Sequence, residues 1–393
     1  MIQRTLEGMF RSGLGTGKAV VLMGARQVGK TTLLKKVFSD DADVLWLNGD
    51  EKDVQDLFEN GTSSRWRLYF GKKRTVVIDE AQRIKDIGLR LKAIVDQIPE
   101  VQLVATGSSA FELANRLNEP LTGRKWEYRM FPLSFGEMAS HHGLLEEKRL
   151  LAHRMVYGYY PEVVTHHGSE REILKQLSDS FLFKDVLMLG QVKKPEGLVR
   201  LLQALAYQVG SQVSYNELTS MTGLDAKTVE KYIAVLEQTY VIFRLGSFSR
   251  NLRNELRKSR KIYFYDNGIR NALIANFNQV EGRLDVGALW ENFMVSERRK
   301  CLEYRQSPAN SWFWRTKEQA EIDYLEEEGG LLSAFEFKWS SNARYRPPKG
   351  FLNAYPASRV MVVDPGHVED FLLPKAEWTE RGSHLKTAIG QRS

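Results

Sequence analysis

The chain is poor in cysteine and contains no long apolar run, and both absences limit what it can be. Cys301 is the single cysteine among 393 residues, so no disulfide can form within the chain, as is typical of proteins in a reducing compartment. The first residues, MIQRTLEGMFRSG, contain no apolar stretch of the kind that a secretory signal needs. No run is long enough to cross a bilayer as a helix. We therefore expect a cytoplasmic protein that has no membrane partner.

Low-complexity tracts and internal repeats are also missing from the sequence. Hydrophobic residues make up 42% of the chain and charged residues 27%, which is an ordinary globular composition. The length exceeds that of one ordinary core, so we expect two to four domains. The formal net charge of +7 favours a polyanionic partner such as nucleic acid without requiring one.

A glycine-rich loop near the N-terminus is the strongest motif. The apolar run Lys18–Met23 predicts a buried parallel strand, and the helical spacing of TLLKKVF follows the loop. Lys30 is expected to place a positive charge on the β- and γ-phosphates of ATP, and Thr31 to offer its hydroxyl to Mg²⁺. The residues predicted to surround the phosphates are Gly24, Ala25, Arg26, Gln27, Val28, Gly29, Lys30, Thr31 and Thr32.

A second apolar strand, Thr75–Glu80, ends in two acids. Downstream of a phosphate loop, Asp79 is expected to hold Mg²⁺ through water, and Glu80 to polarise the water that attacks the γ-phosphate. In the alternative interpretation, the two carboxylates only cap a helix that begins at Ala81. Two acids that directly follow four strand-forming residues favour ATP hydrolysis.

A third strand, Val101–Ala105, leads into a short polar segment. A polar side chain at the end of a strand that lies between the two catalytic strands can sense the γ-phosphate. Ser108 is the predicted sensor and Ser109 its alternative, although both serines could instead cap the next helix.

Five segments carry a resemblance to a known family, namely GARQVGKTTLL, VVIDEAQRI, ATGSSAFEL, LTGRKWEYRMFPLSFGEM and GYYPEVV. Together they resemble the prokaryotic AAA-type ATPases that have a C-terminal nuclease-like domain, over nearly the whole chain. The resemblance implies a homo-oligomer in which a neighbouring subunit supplies an arginine to the ATP site. Arg124 matches that arginine best and Arg116 second, while a structural salt bridge is the alternative role for Arg124.

Helical spacing continues from residue 134 to residue 194, where an AAA-type protein has a small helical lid over the nucleotide. The two histidine pairs in this segment, His141–His142 and His166–His167, are predicted to be solvated surface residues. No cysteine or converging set of carboxylates accompanies them, so a metal site is not indicated.

Residues 195–265 show a helix-turn-helix pattern. A short helix at Tyr215–Thr219 is followed by a turn and by a longer helix that Asp225 caps. The strand-like segment VIFRL after it predicts a winged helix, with Lys227, Thr228 and Lys231 directed toward DNA. A module for protein contacts is the alternative.

The segment that follows, Arg244–Lys261, carries seven Lys or Arg residues against a single acid, Glu255. Such a density can neutralise DNA phosphates. A solvated charged face is the alternative interpretation.

A second possible centre of chemistry lies near the C-terminus. A predicted helix carries Glu291, and a predicted β-hairpin carries Asp323 on one strand with Glu336 and Lys338 on the next. This spacing resembles the PD-(D/E)xK nuclease motif, with Ile322 in place of the proline. Asp323 and Glu336 would share Mg²⁺, Lys338 would orient or deprotonate water, and Glu291 would support them. Alternatively, the hairpin is only a solvated face, or the fold binds DNA without cutting it.

The sequence therefore predicts an α/β protein with four parts. These are an AAA-type P-loop parallel-sheet domain (1–133), a helical lid (134–194), a winged helix (195–265) and a restriction-endonuclease-like α/β domain (266–393). The predicted function is that of a Mg²⁺-dependent ATPase that binds and processes DNA, with a possible metal-dependent nuclease domain. The alternative is a nucleotide-gated oligomeric switch or scaffold that neither translocates nor cleaves.

Overall fold

In the part of the chain that the structure describes, helices surround three β-sheets. The computed structural model describes residues 1–39, 41–107, 121–180, 192, 194–248, 259–316, 318–341 and 345–373. Within those ranges, no helix has the length and apolar content needed to span a bilayer.

The first sheet has five parallel strands in the order β2-β3-β4-β1-β5. The strands are β1 (Ala19–Gly24), β2 (Val44–Asn48), β3 (Thr75–Asp79), β4 (Gln102–Gly107) and β5 (Lys125–Met130). The helices are α1 (Leu6–Gly13), α2 (Lys30–Val37), α3 (Lys52–Glu59), α4 (Ser63–Phe70) and α5 (Ile87–Gln97). All six β1 residues are buried, as expected for a central parallel strand. The three strands predicted from the sequence are confirmed, and their carboxyl ends meet at one edge of the sheet.

Within residues 131–180, the helices after the first sheet are α6 (Phe135–His142), α7 (Leu144–Arg149), α8 (Leu151–Tyr157), α9 (Pro161–Thr165) and α10 (Glu170–Ser180). Helix α6 begins at a capping box, in which Ser134 and Glu137 each bond the other's backbone N–H. Helices α8 and α10 pack against α14 (Asn267–Leu273). Helix α14 begins more than a hundred residues after the end of α8. The segment predicted as a lid is therefore also in contact with the last part of the chain.

A second, antiparallel sheet of three short strands lies beside three helices. The elements are α11 (Pro195–Tyr207), β6 (Gln212–Val213), α12 (Tyr215–Thr222), α13 (Ala226–Gln238), β7 (Ile242–Gly246) and β8 (Arg260–Phe264). Gly223 ends α12 in the left-handed conformation (φ 69°), and Asp225 caps α13 by accepting the backbone N–H of Thr228 at 2.9 Å. The two helices and the turn that the sequence predicts are thus confirmed. Their buried residues form a hydrophobic cluster of their own.

The third sheet has the order β12-β11-β10-β9. Its elements are α15 (Val286–Tyr304), β9 (Asn310–Arg315), β10 (Glu321–Glu328), β11 (Leu331–Phe337), α16 (Lys349–Ala354), β12 (Arg359–Val363) and α17 (Val368–Leu372). The predicted hairpin is confirmed, because β10 and β11 are antiparallel and Gly329 and Gly330 turn between them at φ 57° and 81°. Strand β12 adds to β11 in the parallel direction.

These parts are joined rather than merely adjacent. One hydrophobic core runs from the first sheet through helices α6–α10 to the third sheet. The second sheet meets the third where the N–H of Phe248 donates to the carbonyl of Phe313 at 2.7 Å. The domain boundaries after residues 133, 194 and 265 stay predictions.

Arg4 is a buried cation that joins several of these elements. Its guanidinium donates to the carbonyl of Val28 at 2.8 Å, to the carbonyl of Phe131 at 2.6 Å and to the carboxylate of Glu137 at 3.1 Å. The Tyr304 hydroxyl, at the end of α15, lies 3.4 Å from the same group. Arg4 therefore holds the phosphate loop, the end of β5, helix α6 and helix α15 in one arrangement.

Replacing Arg4 by lysine tests this role. A lysine keeps the charge but cannot direct donors to so many acceptors, so Arg4→Lys should destabilise the protein by about 3 kcal/mol. The measurement is urea unfolding followed by circular dichroism. The matched control is Arg11→Lys, which alters an exposed arginine whose partner Glu7 keeps a second cation, Lys36, and should change stability by less than about 0.5 kcal/mol. Equal losses in the two variants would contradict the role of Arg4.

Candidate functional site

The glycine-rich loop joins β1 to α2 in a geometry that its two glycines permit. A Cβ on Gly24 would come within 2.1 Å of the Met130 carbonyl oxygen, so only glycine fits there. Gly29 precedes α2 with φ 96°, in the region that favours glycine. The Lys30 ammonium donates to the carbonyls of Gly24 at 2.9 Å and Ala25 at 2.8 Å and is buried. The lysine is thus held inside the loop, as a phosphate-binding loop requires.

The Asp79 carboxylate lies at the centre of a small hydrogen-bonded network at the carboxyl edge of the sheet. The Thr31 hydroxyl donates to one of its oxygens at 2.8 Å, and the Thr106 hydroxyl donates to the other. The Thr106 oxygen also accepts the backbone N–H of Glu80 at 3.2 Å. Thr106 is fully buried at the end of β4. Strands β3 and β4 and the start of α2 are therefore connected through one carboxylate.

The pair formed by Thr31 and Asp79 fits a magnesium ion. A hydroxyl and a carboxylate offer the hard oxygen ligands that Mg²⁺ prefers, and they lie next to the phosphate loop. Glu80 lies outside the strand in a left-handed conformation (φ 49°, ψ 41°), which is uncommon for a residue other than glycine. The Glu80 side chain does not cap the turn at Ala81–Arg83, so that alternative is not supported for Glu80.

The predicted γ-phosphate sensor, Ser108, lies outside the described residues, as do Ser109 and Arg116. Strand β4 does lie between β1 and β3, as predicted. The polar residue that the structure brings to the site is Thr106, because β4 continues to Gly107, beyond the predicted strand end at Ala105.

Arg124 lies at the opposite edge of the sheet from the phosphate loop of the same chain. Its carbonyl accepts the N–H of Ala19, at the start of β1, whereas the loop follows Gly24 at the end of β1. Six residues of strand separate the two edges by about 20 Å. Its side chain pairs with Asp96 at 2.6 Å, which is the salt bridge given as the alternative role. A role toward a neighbouring subunit stays a prediction.

A cavity of about 590 Å³ opens beside the phosphate loop, a volume that suits a small ligand. Its walls come from the N-terminal segment, α2 and the helical segment, and include Ile2, Gly29, Leu33, Met138, Arg154 and Pro161. The four histidines of both pairs line it. His142 is half-buried and bonds Glu147 at 2.7 Å, while the other three are exposed, as predicted.

The four residues of the predicted nuclease motif come together at α15, β10 and the end of β11. Lys338 was predicted on the strand with Glu336, but β11 ends at Phe337 and Lys338 follows it directly. Asp323 accepts the backbone N–H of Phe337 at 2.8 Å, and Glu336 accepts the Lys338 ammonium at 2.7 Å. The Asp323 charge acts on both Glu291 and Glu336. Burial, helped by that charge, raises the pKa of Glu336 to about 7. Burial also raises the pKa of Glu291 to about 7, and the nearby Lys261 opposes the rise.

Lys261 enters this acidic cluster, which the sequence did not reveal. Its ammonium lies 2.8 Å from a carboxylate oxygen of Glu291 and also pairs with Glu321. The Tyr263 hydroxyl donates to the same oxygen of Glu291 at 2.6 Å. Both Lys261 and Tyr263 belong to β8, so a strand of the second sheet supplies part of the cluster.

The prediction that the basic segment neutralises DNA phosphates is wrong for Lys261, whose side chain is buried, and stays a prediction for the other residues. Lys261 is buried against carboxylates, and Arg244 forms a two-pronged pair with Glu237. Arg260 bonds the Tyr215 hydroxyl at 3.1 Å. The remaining four, Arg250, Arg253, Arg257 and Lys258, lie outside the described residues.

The acidic cluster as arranged does not fit a bound divalent cation. Across the part of the chain that the structure describes, no three His, Cys, Asp or Glu side chains form a group that could hold a metal ion. The ammonium groups of Lys261 and Lys338 already pair with oxygens of Glu291 and Glu336, and Asp323 accepts a backbone N–H. Asp79 differs, because its two side-chain partners are neutral hydroxyls. The Mg²⁺ predicted for Asp323 and Glu336 is therefore not supported by this geometry.

Comparisons with known proteins agree with the geometry of the first site. Residues 16–139 match the model of a family described as an AAA domain. Residues 148–280 and 286–373 match two families described as domains of unknown function (DUF8612 and DUF4143).

Similar whole proteins are known from bacteria. An uncharacterized protein of Mycobacterium tuberculosis is 26% identical over 371 residues, which is 93% of this chain and 80% of that protein. An uncharacterized protein of Haemophilus influenzae is 27% identical over 308 residues, 70% of this chain and 75% of that protein. Among solved structures, a Walker-type ATPase of Pyrococcus abyssi is similar with a TM-score of 0.46 and 15% identity, covering 70% of this chain and 96% of that one. The domain that carries the phosphate loop and Asp79 is thus a P-loop ATPase domain of the AAA type.

Proposed function

We propose that this chain is a Mg²⁺-dependent ATP hydrolase that binds DNA through its second part and acts as a homo-oligomer. One observation carries the proposal of Mg²⁺-dependent hydrolysis: the Asp79 carboxylate is shared by the hydroxyls of Thr31 and Thr106, with Glu80 directly beside it. Such a network joins a metal-binding hydroxyl to the residue that would orient water.

Each side chain at this site has a separate task. Lys30, held by two loop carbonyls, binds the β- and γ-phosphate oxygens. Thr31 and Asp79 would hold Mg²⁺, which neutralises charge on the phosphates when it is bound. Glu80 orients the attacking water. Thr106 is a positioning residue, since it fixes both the Asp79 carboxylate and the Glu80 backbone.

The oligomer proposal rests on the position of Arg124. This side chain lies about 20 Å of strand away from its own phosphate loop, so a role in hydrolysis requires a neighbouring subunit. We propose that Arg124 exchanges its partner Asp96 for the ATP site of that subunit.

For the second part of the chain, we propose a winged helix that binds DNA. The arrangement of α11–α13 with a small antiparallel sheet supports it. Lys227 and Lys231 are exposed in the first half of α13, the second helix of the helix-turn-helix.

For the last part, we propose a PD-(D/E)xK-like fold that contacts DNA without cutting it in this arrangement. Asp323, Glu336 and Lys338 lie together as the motif requires. The absence of cleavage is proposed because lysine ammonium groups already pair with Glu336 and with the supporting acid Glu291.

A nucleotide-gated switch without DNA processing is the second candidate. Arg4 favours it, because this residue bonds both the phosphate-loop carbonyl of Val28 and the end of helix α15. DNA-stimulated ATP turnover would support the first candidate. Turnover that ignores DNA, together with an oligomer size that depends on ATP, would support the switch.

The role of Thr106 can be tested by Thr106→Val, which keeps the shape and removes the hydroxyl. Loss of the hydroxyl frees Asp79 and Glu80 to shift, so kcat should fall at least about 10-fold while KM stays within about 3-fold. Steady-state ATP hydrolysis measures both constants. Thr75→Val is the matched control, because Thr75 is also buried but lies at the other end of β3. If the two variants lose the same activity, Thr106 has no special role.

The DNA proposal can be tested with the double variant Lys227→Gln and Lys231→Gln. Loss of two phosphate contacts should weaken duplex binding at least about 10-fold and reduce the slope of log affinity against log salt by about 2. Fluorescence anisotropy at several salt concentrations, together with ATPase rates with and without DNA, gives both results. The control removes two exposed lysines elsewhere, Lys72 and Lys349, with the same change of charge. An equal loss of affinity in the control pair would mean that only net charge matters.

A further inference from the structure

Lys261 is an almost fully buried ammonium at the junction of two sheets. It is 1% exposed, and it comes from β8 of the second sheet. Its partners belong to the last part of the chain: Glu291 comes from α15, at 2.8 Å, and Glu321 comes from the first residue of β10. The positive charge thus lies between two elements that the nuclease motif uses.

The charges around Lys261 explain why it can be buried. An isolated ammonium in a protein interior is strongly destabilising, and carboxylates within hydrogen-bonding distance offset that cost. Burial alone would lower the pKa of Lys261, but the charges of Glu291, Asp323 and Glu321 together outweigh burial and raise it. The lysine therefore stays protonated throughout the physiological range.

We propose that Lys261 is an internal counter-ion that occupies the cation position of the nuclease-like site and thereby excludes divalent metal ions from it. The ammonium pairs with oxygens of both Glu291 and Glu321, and carboxylate oxygens are also the ligands that a hard cation takes. The nearby Asp323 adds a third carboxylate whose charge acts on the same ammonium. Removal of the lysine side chain would therefore leave several carboxylates around an empty position.

This inference concerns the regulation of the site proposed above, but it does not depend on DNA binding or ATP hydrolysis. Because Lys261 belongs to β8, a metal ion could bind at this site only if β8 moved or if the Lys261 side chain turned away from the carboxylates. The nuclease-like site is thus closed by a neighbouring part of the same chain.

Lys261→Met tests the inference, because methionine fills a similar volume without a charge. The experiment uses the full chain without nucleotide, in an Asp79→Asn background that weakens metal binding at the ATP site. Mn²⁺ binding is followed by electron paramagnetic resonance. We expect no site in the parent below about 1 mM and one Mn²⁺ per chain with at least about 10-fold higher affinity in Lys261→Met. The added site should disappear when Asp323→Asn is included.

Lys338→Met is the matched control. It removes a second lysine from the same cluster, but Lys338 bonds Glu336 and does not lie between Glu291 and Glu321. Lys338→Met should therefore bind no more Mn²⁺ than the parent. If it gains a site as strong as that of Lys261→Met, the exclusion comes from net charge and the proposal fails.

Two further measurements keep the proposal testable if Lys261→Met is unstable. Mn²⁺ should raise the melting temperature of Lys261→Met by several degrees and leave that of the parent unchanged, and Lys261→Met combined with Glu291→Gln should restore folding without metal. A folded Lys261→Met protein that binds no Mn²⁺ would overturn the proposal. A second outcome needs no Lys261 variant. If the parent binds Mn²⁺ and Asp323→Asn abolishes that binding, the proposal is also overturned.

Discussion

The guanidinium of Arg4 is the interaction on which the arrangement of the molecule depends most. It bonds the carbonyl of Val28 in the phosphate loop and the carboxylate of Glu137 at the start of the helical segment. Its contact with Tyr304 reaches the end of α15, which also carries Glu291 near its start. A displacement of the loop therefore has a direct path, through one buried residue and one helix, to the acidic cluster.

The two carboxylate centres differ in the groups that bond their oxygens. Asp79 has hydroxyl partners and no competing cation among its described hydrogen bonds, which leaves it suited to a magnesium ion. At the second centre, the Lys261 ammonium pairs with Glu291 and its charge also acts on Asp323. Burial raises the pKa of Asp323, as expected when desolvation outweighs the favourable charges nearby. Residues that match a nuclease motif are thus present in an arrangement that favours a structural ion cluster.

The sequence predicted those features that a short stretch of chain encodes by itself. The strand, glycine loop and helix around Lys30 are contiguous, as are the strand and the acid at Asp79, so periodicity and residue type were sufficient. Thr106 was missed because β4 extends beyond its predicted end at Ala105. The end of this strand depends on its pairing with β1 and β3, which a short stretch of sequence does not encode. Arg4 and Lys261 gave no local signal, because their partners are distant in the sequence. The partners of Arg4 lie between 24 residues (Val28) and 300 residues (Tyr304) away. Glu291 lies 30 residues from Lys261.

The central claim is that the network around Asp79 is a site of Mg²⁺-dependent ATP hydrolysis, and Glu80→Gln tests it most directly. The variant keeps the hydrogen-bonding shape of the side chain and leaves Thr31 and Asp79 intact, but it removes the carboxylate that orients water. Calorimetric binding of Mg²⁺-ATP and steady-state hydrolysis should be measured on the same preparation. The account predicts binding within a few-fold of the parent and turnover reduced at least about 100-fold. Near-normal turnover in Glu80→Gln would contradict it.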